Sequence, residues 1–298
     1  MTMDSRTYYG RPVIEQPVWK PEIPWYFFAG GMAGAAATLA AVARGKGNER
    51  LADAAGRVAL AGVVVSPPLL ICDLGRPGRF HHMLRVFKPT SPMSVGSWVL
   101  AVFAPTAGGA AVLSALGRLP RLQRAAEAVG AALGPVMSTY TAVLIANTAV
   151  PAWREARKEL PWVFAGGSAA SAGAATLLLV SGEEAAPARR LAMLGAVCEL
   201  AAAELMERRL GELGEPYQID AAGTLSKLAR CLSGAGAGLL GLLGRRRGAV
   251  VTGAALILAG AAAERWAVFK AGFASARDPK YTVKPQRERI DRARRPDE

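Results

Sequence analysis

The stretches "EIPWYFFAGG" (residues 22–31) and "ELPWVFAGG" (159–167) decide how this chain is read. Each opens a long run rich in Gly and Ala, and the two match with a one-residue gap. Similar apolar runs of about twenty residues recur along the chain, with the charged residues gathered into short clusters between them. The composition is 52% hydrophobic, with a mean hydropathy of +0.22 over 298 residues. That is the pattern of an all-α integral membrane protein. Eight spans are expected, near 24–43, 52–72, 93–117, 125–149, 161–180, 188–208, 222–243 and 248–270. Small residues within them let helices approach closely in lipid. The first run is too long, and its flank too acidic at Glu15 and Glu22, to suit a cleaved signal peptide.

The echo of the two stretches predicts an internal duplication, and a weaker one agrees: "VPAW" (150–153) ends the fourth run and "AERW" (263–266) lies near the end of the eighth. Four spans per repeat is an even number, so both halves insert in the same direction, as two pseudo-repeated four-helix bundles related by an axis along the membrane normal. The expected organisation is an N-terminal segment (1–23), a first bundle (24–153), a second (154–271) and a basic tail (272–298). The tail lacks apolar periodicity and reads as an extended arm.

The net charge of +13 and the "RRR" at 245–247 do not indicate nucleic-acid binding, because short basic loops ordinarily flank membrane spans. Lys and Arg are spread almost evenly over the two sides; the tail tips the balance weakly toward cytoplasmic termini. Cys72, Cys198 and Cys231 lie far apart without a CxxC pair, which excludes an iron–sulfur cluster or structural zinc held by this chain alone. His81 and His82 are adjacent in a connection, so bis-histidine haem is excluded as well.

Prolines mark expected bends at Ser66-Pro67-Pro68 in the second span and at Pro135 in the fourth, while Thr90 or Ser91 before Pro92 is a start signal for the third. Buried ionisable groups in spans are costly and therefore informative. Glu199 lies nearest a span midpoint; Glu204, Glu264 and Asp73 lie within a turn or two of the side that carries the termini. Tyr140 is expected deep in the fourth span, with Asn147 two turns shallower, as part of a polar column. Each has a plain reading too. Tyr140 can bond a neighbouring helix carbonyl, and Glu199 can be a protonated acid bonded within the bundle rather than a proton relay.

The connection "DLGRPGRFHHMLRVFKPTSPMSVGSW" (73–98) concentrates Arg76, Arg79, Arg85, Lys88 and both histidines. Asp73 and Arg76 are spaced to pair at the helix end. A merely solvated loop has no use for Phe80, Met83, Leu84, Val86 and Phe87, so the stretch reads as a short amphipathic docking segment at the interface.

This connection, together with "WKPEIPWYFFAGGMAG" (19–34) and "TYTAVLIANTAVPAW" (139–153), resembles the NrfD family, the quinone-reactive membrane subunits of polysulfide reductase and related molybdopterin oxidoreductases. The resemblance implies eight helices, no metal in this chain, and a quinone (menaquinone or ubiquinone) held in the first bundle. It also implies two partners: a four-cluster, ferredoxin-like iron–sulfur subunit, and a molybdenum or tungsten catalytic subunit of the formate dehydrogenase or polysulfide/thiosulfate reductase type. Tyr140 matches the tyrosine that hydrogen-bonds the quinone, and the loop from Asp73 to Pro92 lies under the iron–sulfur subunit. The family also has an asparagine and a histidine at the start of its first helix. This chain has Pro24, Trp25, Tyr26, Phe27 and Phe28 there, which leaves the second carbonyl to Tyr26 or a loop histidine, with Trp25 and Asn147 as further contacts. On this reading Asp73, His81 and His82 serve the quinone's protons, Arg76, Arg79, Arg85 and Lys88 hold the partner, and Glu199, Glu204 and Glu264 are relay candidates.

Two other classes fit the composition. A secondary transporter built from parallel repeats favours matching helix breaks, but Ser66-Pro67-Pro68 has no counterpart in the sixth run. A non-catalytic anchor would make Tyr140 and the acids dispensable. On the adjacent histidines and scattered cysteines, the isolated chain in detergent is expected to show no haem Soret band and no stoichiometric iron; a Soret band would overturn this part of the reading.

Overall fold

The computed structural model describes residues 13–294. Among them there is no strand, and the chain runs as α1 (Glu22–Gly45), α2 (Glu49–Asp73), α3 (Pro92–Leu116), α4 (Pro120–Ala146), the short α5 (Pro151–Glu155), α6 (Leu160–Leu179), α7 (Ala186–Leu210), α8 (Asp220–Leu243), α9 (Arg247–Arg277) and α10 (Lys280–Arg294). Each expected span falls on one of the long helices. Six of these, α1 to α4, α6 and α9, are long and apolar enough to cross a bilayer. Helices α7 and α8 fall short of that standard, because α7 carries Arg189, Arg190, Glu199, Glu204, Glu207, Arg208 and Arg209, and α8 carries Asp220, Lys227 and Arg230. The chain is a multi-pass helical membrane protein.

Local chemistry sets the boundaries. Asn48 caps α2 by accepting from Leu51 N at 3.1 Å, and Ser91 caps α3 by accepting from Ser94 N at 3.4 Å, just before Pro92 at the first helical position. Gly117, at φ 61°, ends α3 in the left-handed conformation that costs glycine least. Helix α2 continues through Pro67 and Pro68. In α4, Pro135 removes the donor that would reach the Ala131 carbonyl, and the Thr38 hydroxyl of α1 supplies one instead at 3.2 Å.

In the first half α1 packs on α2 and α4, and α3 on α2 and α4; in the second, α6 packs on α7 and α9, and α8 on α7 and α9. Backbones touch where glycines face one another. A Cβ on Gly34 would strike the Gly134 carbonyl, and one on Gly195 would lie 2.7 Å from the Gly166 carbonyl. Between the halves α1 packs on α6, and the two matched stretches, 22–31 and 159–167, meet there: the Phe27 and Phe164 rings lie 5.7 Å apart, and Gly31 faces the Ser168 hydroxyl. Trp153 is fully buried, donates from Nε1 to the Val268 carbonyl at 2.7 Å, and stacks on Trp19 at 5.4 Å. One core, rich in aromatic side chains, joins both halves near the ends where α1 and α6 begin; a second, mostly alanine and leucine, lies toward their other ends.

The tail is not an extended arm. Helix α9 runs on to Arg277, and α10 lies against the α7–α8 connection. There Lys280 Nζ pairs with Glu215 at 2.7 Å, the Tyr281 hydroxyl donates to Glu215 at 3.0 Å, and Lys284 pairs with Glu212. Residues 280, 281 and 284 share one helical face, so ion pairs supply the docking that apolar periodicity does not. The hydrogen bonds from Lys280 and Tyr281 hold Glu215 below the usual carboxylate range. A depressed carboxylate keeps its stabilising charge above its unfolded value and loses it as pH falls through the folded one. The tether therefore survives at neutral pH and lets go only in acid below the ordinary range. Glu215→Gln is expected to speed amide hydrogen exchange over residues 280–287 at pH 7 while leaving α9 protected; unchanged exchange would show that the pair does not hold α10.

Candidate functional site

The candidate site gathers where α1 and α3 begin and α2 and α4 end. Tyr140 lies six residues before the end of α4, roughly 9 Å along the axis at ~1.5 Å per residue, shallower than the sequence suggests because α4 stops at Ala146. Asn147 is therefore not inside the span: it is the exposed residue that follows the helix, and it does not join Tyr140 in a buried column. The Tyr140 ring rests on Gly96 of α3, where a Cβ would lie 2.7 Å from Cδ2 and collide with Cε2. The ring is half-buried, and among the described residues its hydroxyl makes no hydrogen bond to any carbonyl. A phenol so placed is a free donor.

Tyr26 of α1 and Ser66 of α2 are both buried, and the hydroxyl of each lacks a partner among the described residues. Both border Gly30, a Cβ on which would lie 3.7 Å from Tyr26 Cε2, 3.7 Å from Ser66 Cβ and 3.0 Å from Met137 Cε. Several serines in the bundle return their hydroxyl to the preceding turn, as Ser97 does to the Met93 carbonyl at 2.9 Å and Ser171 to the Gly167 carbonyl at 2.6 Å. Ser66 does not. Two orphaned hydroxyls at one buried position call for a polar partner. Trp25, by contrast, points outward, edge-on to Phe28 and Trp266.

Asp73 closes α2, and its carboxylate accepts from the Lys20 backbone N at 2.8 Å; among the described residues it does not pair with Arg76. The following 3₁₀ helix, Pro77–Leu84, has no buried residue. Arg76, Arg79, Arg85 and Lys88 are exposed and form no ion pair among the described residues. Phe80, Val86 and Phe87 are exposed beside them, Val86 at 68%. His81 and His82 are exposed and pack edge to face at 4.5 Å. The loop is nevertheless fixed to α3, because Ser94 Oγ accepts from Lys88 N and donates to the Val86 carbonyl, each at 3.0 Å, and Phe87 packs edge-on to Trp98.

The acids of the second half separate. Glu204 is not embedded; its side chain is 47% exposed and pairs with Arg208 at 2.7 Å. Glu199 and Glu264 are buried, together with Arg265. Arg265 lies 3.6 Å from Glu199, donates to the Phe164 carbonyl at 2.8 Å and stacks over the Phe164 ring at 4.1 Å. Glu199 Oε1 and Arg265 Nε and Nη1 find no hydrogen bond among the described residues. Nearer the surface Arg230 pairs with the buried Glu207, and Arg209 with Glu159. Sequence reasoning missed Arg265, Ser66 and Gly96. Arg265 had a signal, since it adjoins Glu264 within the "AERW" echo; Ser66 and Gly96 had none, because their role lies in what faces them.

Among the described residues no group of three or more His, Cys, Asp or Glu is placed to hold a metal ion. No curated protein matches the chain. The NrfD family model described as polysulfide reductase matches residues 5–277. With that match spread over nearly the whole sequence and over every helix that builds the site, the chain belongs to the NrfD, or polysulfide reductase, family.

Proposed function

We propose that this chain is the quinone-reactive membrane subunit of a multisubunit oxidoreductase, exchanging electrons between a membrane quinone, menaquinone or ubiquinone, and an iron–sulfur partner that serves a molybdopterin catalytic subunit. The observation that carries this is the Tyr140 phenol, half-buried on Gly96 with its hydroxyl uncommitted near one end of the first bundle. The reading takes all eight long helices as spans in two repeated bundles. It is supported by the same pairing order in both halves and by Phe27 and Phe164, matched in the duplicated stretches, meeting at their contact. The membrane is the cell membrane, with the termini on its cytoplasmic side.

The residues fit a quinone head group. Tyr140 would donate its Oη–H to one carbonyl oxygen of a bound quinone. The orphaned hydroxyls of Tyr26 and Ser66 serve the second carbonyl. The quinone, when bound, supplies the two-electron chemistry that side chains lack. Asp73, His81 and His82, at the bundle's end, would carry protons to and from the bound quinone. Glu199 and Glu264, with Arg265 between them, form an inner relay opening through Glu207 and Arg230, and Glu204 marks its rim. The exposed cations and apolar side chains of the 73–92 loop suit an acidic partner with an apolar centre.

Tyr140→Phe keeps the ring on Gly96. If the phenol were structural the change would cost at most ~1–3 kcal/mol of stability; as a quinone donor it is expected to lower quinone-coupled electron transfer in the reconstituted complex by ~10²-fold. An artificial-dye assay of the catalytic subunit should stay unchanged. Gly96→Ala, which displaces the ring, should lower the same activity with the hydroxyl retained, and Tyr26→Phe should raise the KM for quinone. Full quinone activity in an assembled Tyr140→Phe complex would refute the role.

The double reversal Arg76→Glu/Arg85→Glu is expected to release the iron–sulfur subunit during purification while the chain stays in the membrane. The parent contact should weaken with salt, given a Debye length of ~8 Å at physiological ionic strength. Undiminished co-purification of the reversed variant would rule out docking at this loop.

A further inference from the structure

At the end of the second half opposite the 73–98 loop, a cavity of about 680 Å³ opens between the end of α6, the start of α7 and the start of α9. Its apolar wall includes Leu177 and Val180, and its polar wall is formed by Arg189, Arg190, Arg245 and Arg247 against a single acid, Glu183. Two of these arginines are structural. Arg247 donates to the Leu177 and Leu178 carbonyls, each at 2.7 Å, where α6 ends, and Arg189 donates to the Gly244 carbonyl at 2.8 Å just past α8. Those bonds answer the orphaned carbonyls of helix C-termini but leave the guanidinium charges in place.

The corresponding end of the first half is built differently. There Arg44 of α1 is enclosed by carboxylates: Glu127 at 2.9 Å, Asp53 at 3.0 Å, and Glu49. Around the second cavity none of the four arginines has a carboxylate within 4.0 Å among the described residues, and Arg190 and Arg245 are exposed. One end neutralises its cation internally; the other presents four cations to a hollow at the level where the helices leave the bilayer. Uncompensated charge around a space with an apolar flank calls for an amphiphile with an anionic head.

We propose that this cavity binds the phosphate-bearing head group of an anionic phospholipid, with Arg190 and Arg245 contacting the phosphate and the Leu177–Val180 wall leading its acyl chains toward the hydrocarbon. Basic pockets between membrane helices recognise such head groups through their phosphate charge. The proposal depends on α6 and α9 crossing the bilayer and is independent of the quinone site.

The test uses the full chain in neutral detergent, titrated with phosphatidylglycerol, phosphatidylcholine or inorganic phosphate, with bound lipid counted by native mass spectrometry and anion binding read from the shift in melting temperature. The variant Arg190→Gln/Arg245→Gln spares the two arginines that cap helices. Phosphatidylglycerol is expected to be retained at least about tenfold more tightly than phosphatidylcholine, and the double variant to lose roughly 10–30-fold of that affinity, at about 1 kcal/mol for each surface arginine. Arg190→Lys/Arg245→Lys should restore most of it, which separates charge recognition from misfolding. Equal retention of both lipids, or unchanged affinity in the glutamine variant, would overturn the proposal. Inorganic phosphate binding as tightly as the lipid would make this a soluble-anion site and overturn it equally.

Discussion

Helices in a bilayer gain nothing from hiding apolar side chains from lipid, so contact between their backbones has to come from shape. In this protein that requirement is met by small residues placed where helices cross. Gly34 against Gly134, Gly62 against Ala33, Gly166 against Gly195 and Gly236 against Gly253 each bring two backbones close enough that a Cβ would collide. Everything chemical in the molecule hangs on this closeness. Tyr140 reaches a seat on α3 because Gly96 offers no side chain, and Glu199 and Arg265 fit beside α6 because Gly167 offers none. The same closeness lets one helix repair another, as Thr38 does for the carbonyl that Pro135 leaves without a donor.

Polar groups inside such a bundle fall into two kinds. Ser138, Thr176 and Ser171 bond their own preceding turn and require nothing further. Tyr26, Ser66, Glu199 and Arg265 keep atoms that neither their own helix nor a neighbour satisfies. In a low-dielectric interior such atoms are costly. Their grouping is informative: one pair sits beside Gly30 in the first half, the other beside Gly167 in the second. Among the described residues Glu22 and Ser233 each keep one further unpaired atom, so the two pairs hold most but not all of the unsatisfied atoms.

Much of the helical order was legible in the sequence, because apolar runs of about twenty residues and their caps are local signals; Ser91 followed by Pro92 marked the start of α3 to the residue. The duplicated stretches were visible as text, but that they touch through Phe27 and Phe164 was not. Depth was misjudged at Asn147 because a helix stopping three residues early leaves no mark in composition, and neither does a side chain turned outward, as at Glu204. The tail was misread for a different reason. Its helix is held by Glu212 and Glu215, which lie some seventy residues earlier, and a long-range ion pair carries no periodicity. The residues of the site that went unseen, Gly96 and Ser66, matter for the neighbours they face, and those neighbours belong to other helices.

Two tasks share the opening of α3. Ser94 fastens the exposed loop through Val86 and Lys88, and Gly96, two residues on, seats the ring of Tyr140. Trp98, two further, braces Phe87. The first two turns of α3 thus determine both the shape of the outward face and the position of the inward phenol. Any change that recasts the loop's anchor therefore also re-seats the tyrosine, so the outward face and the inward phenol cannot be altered independently.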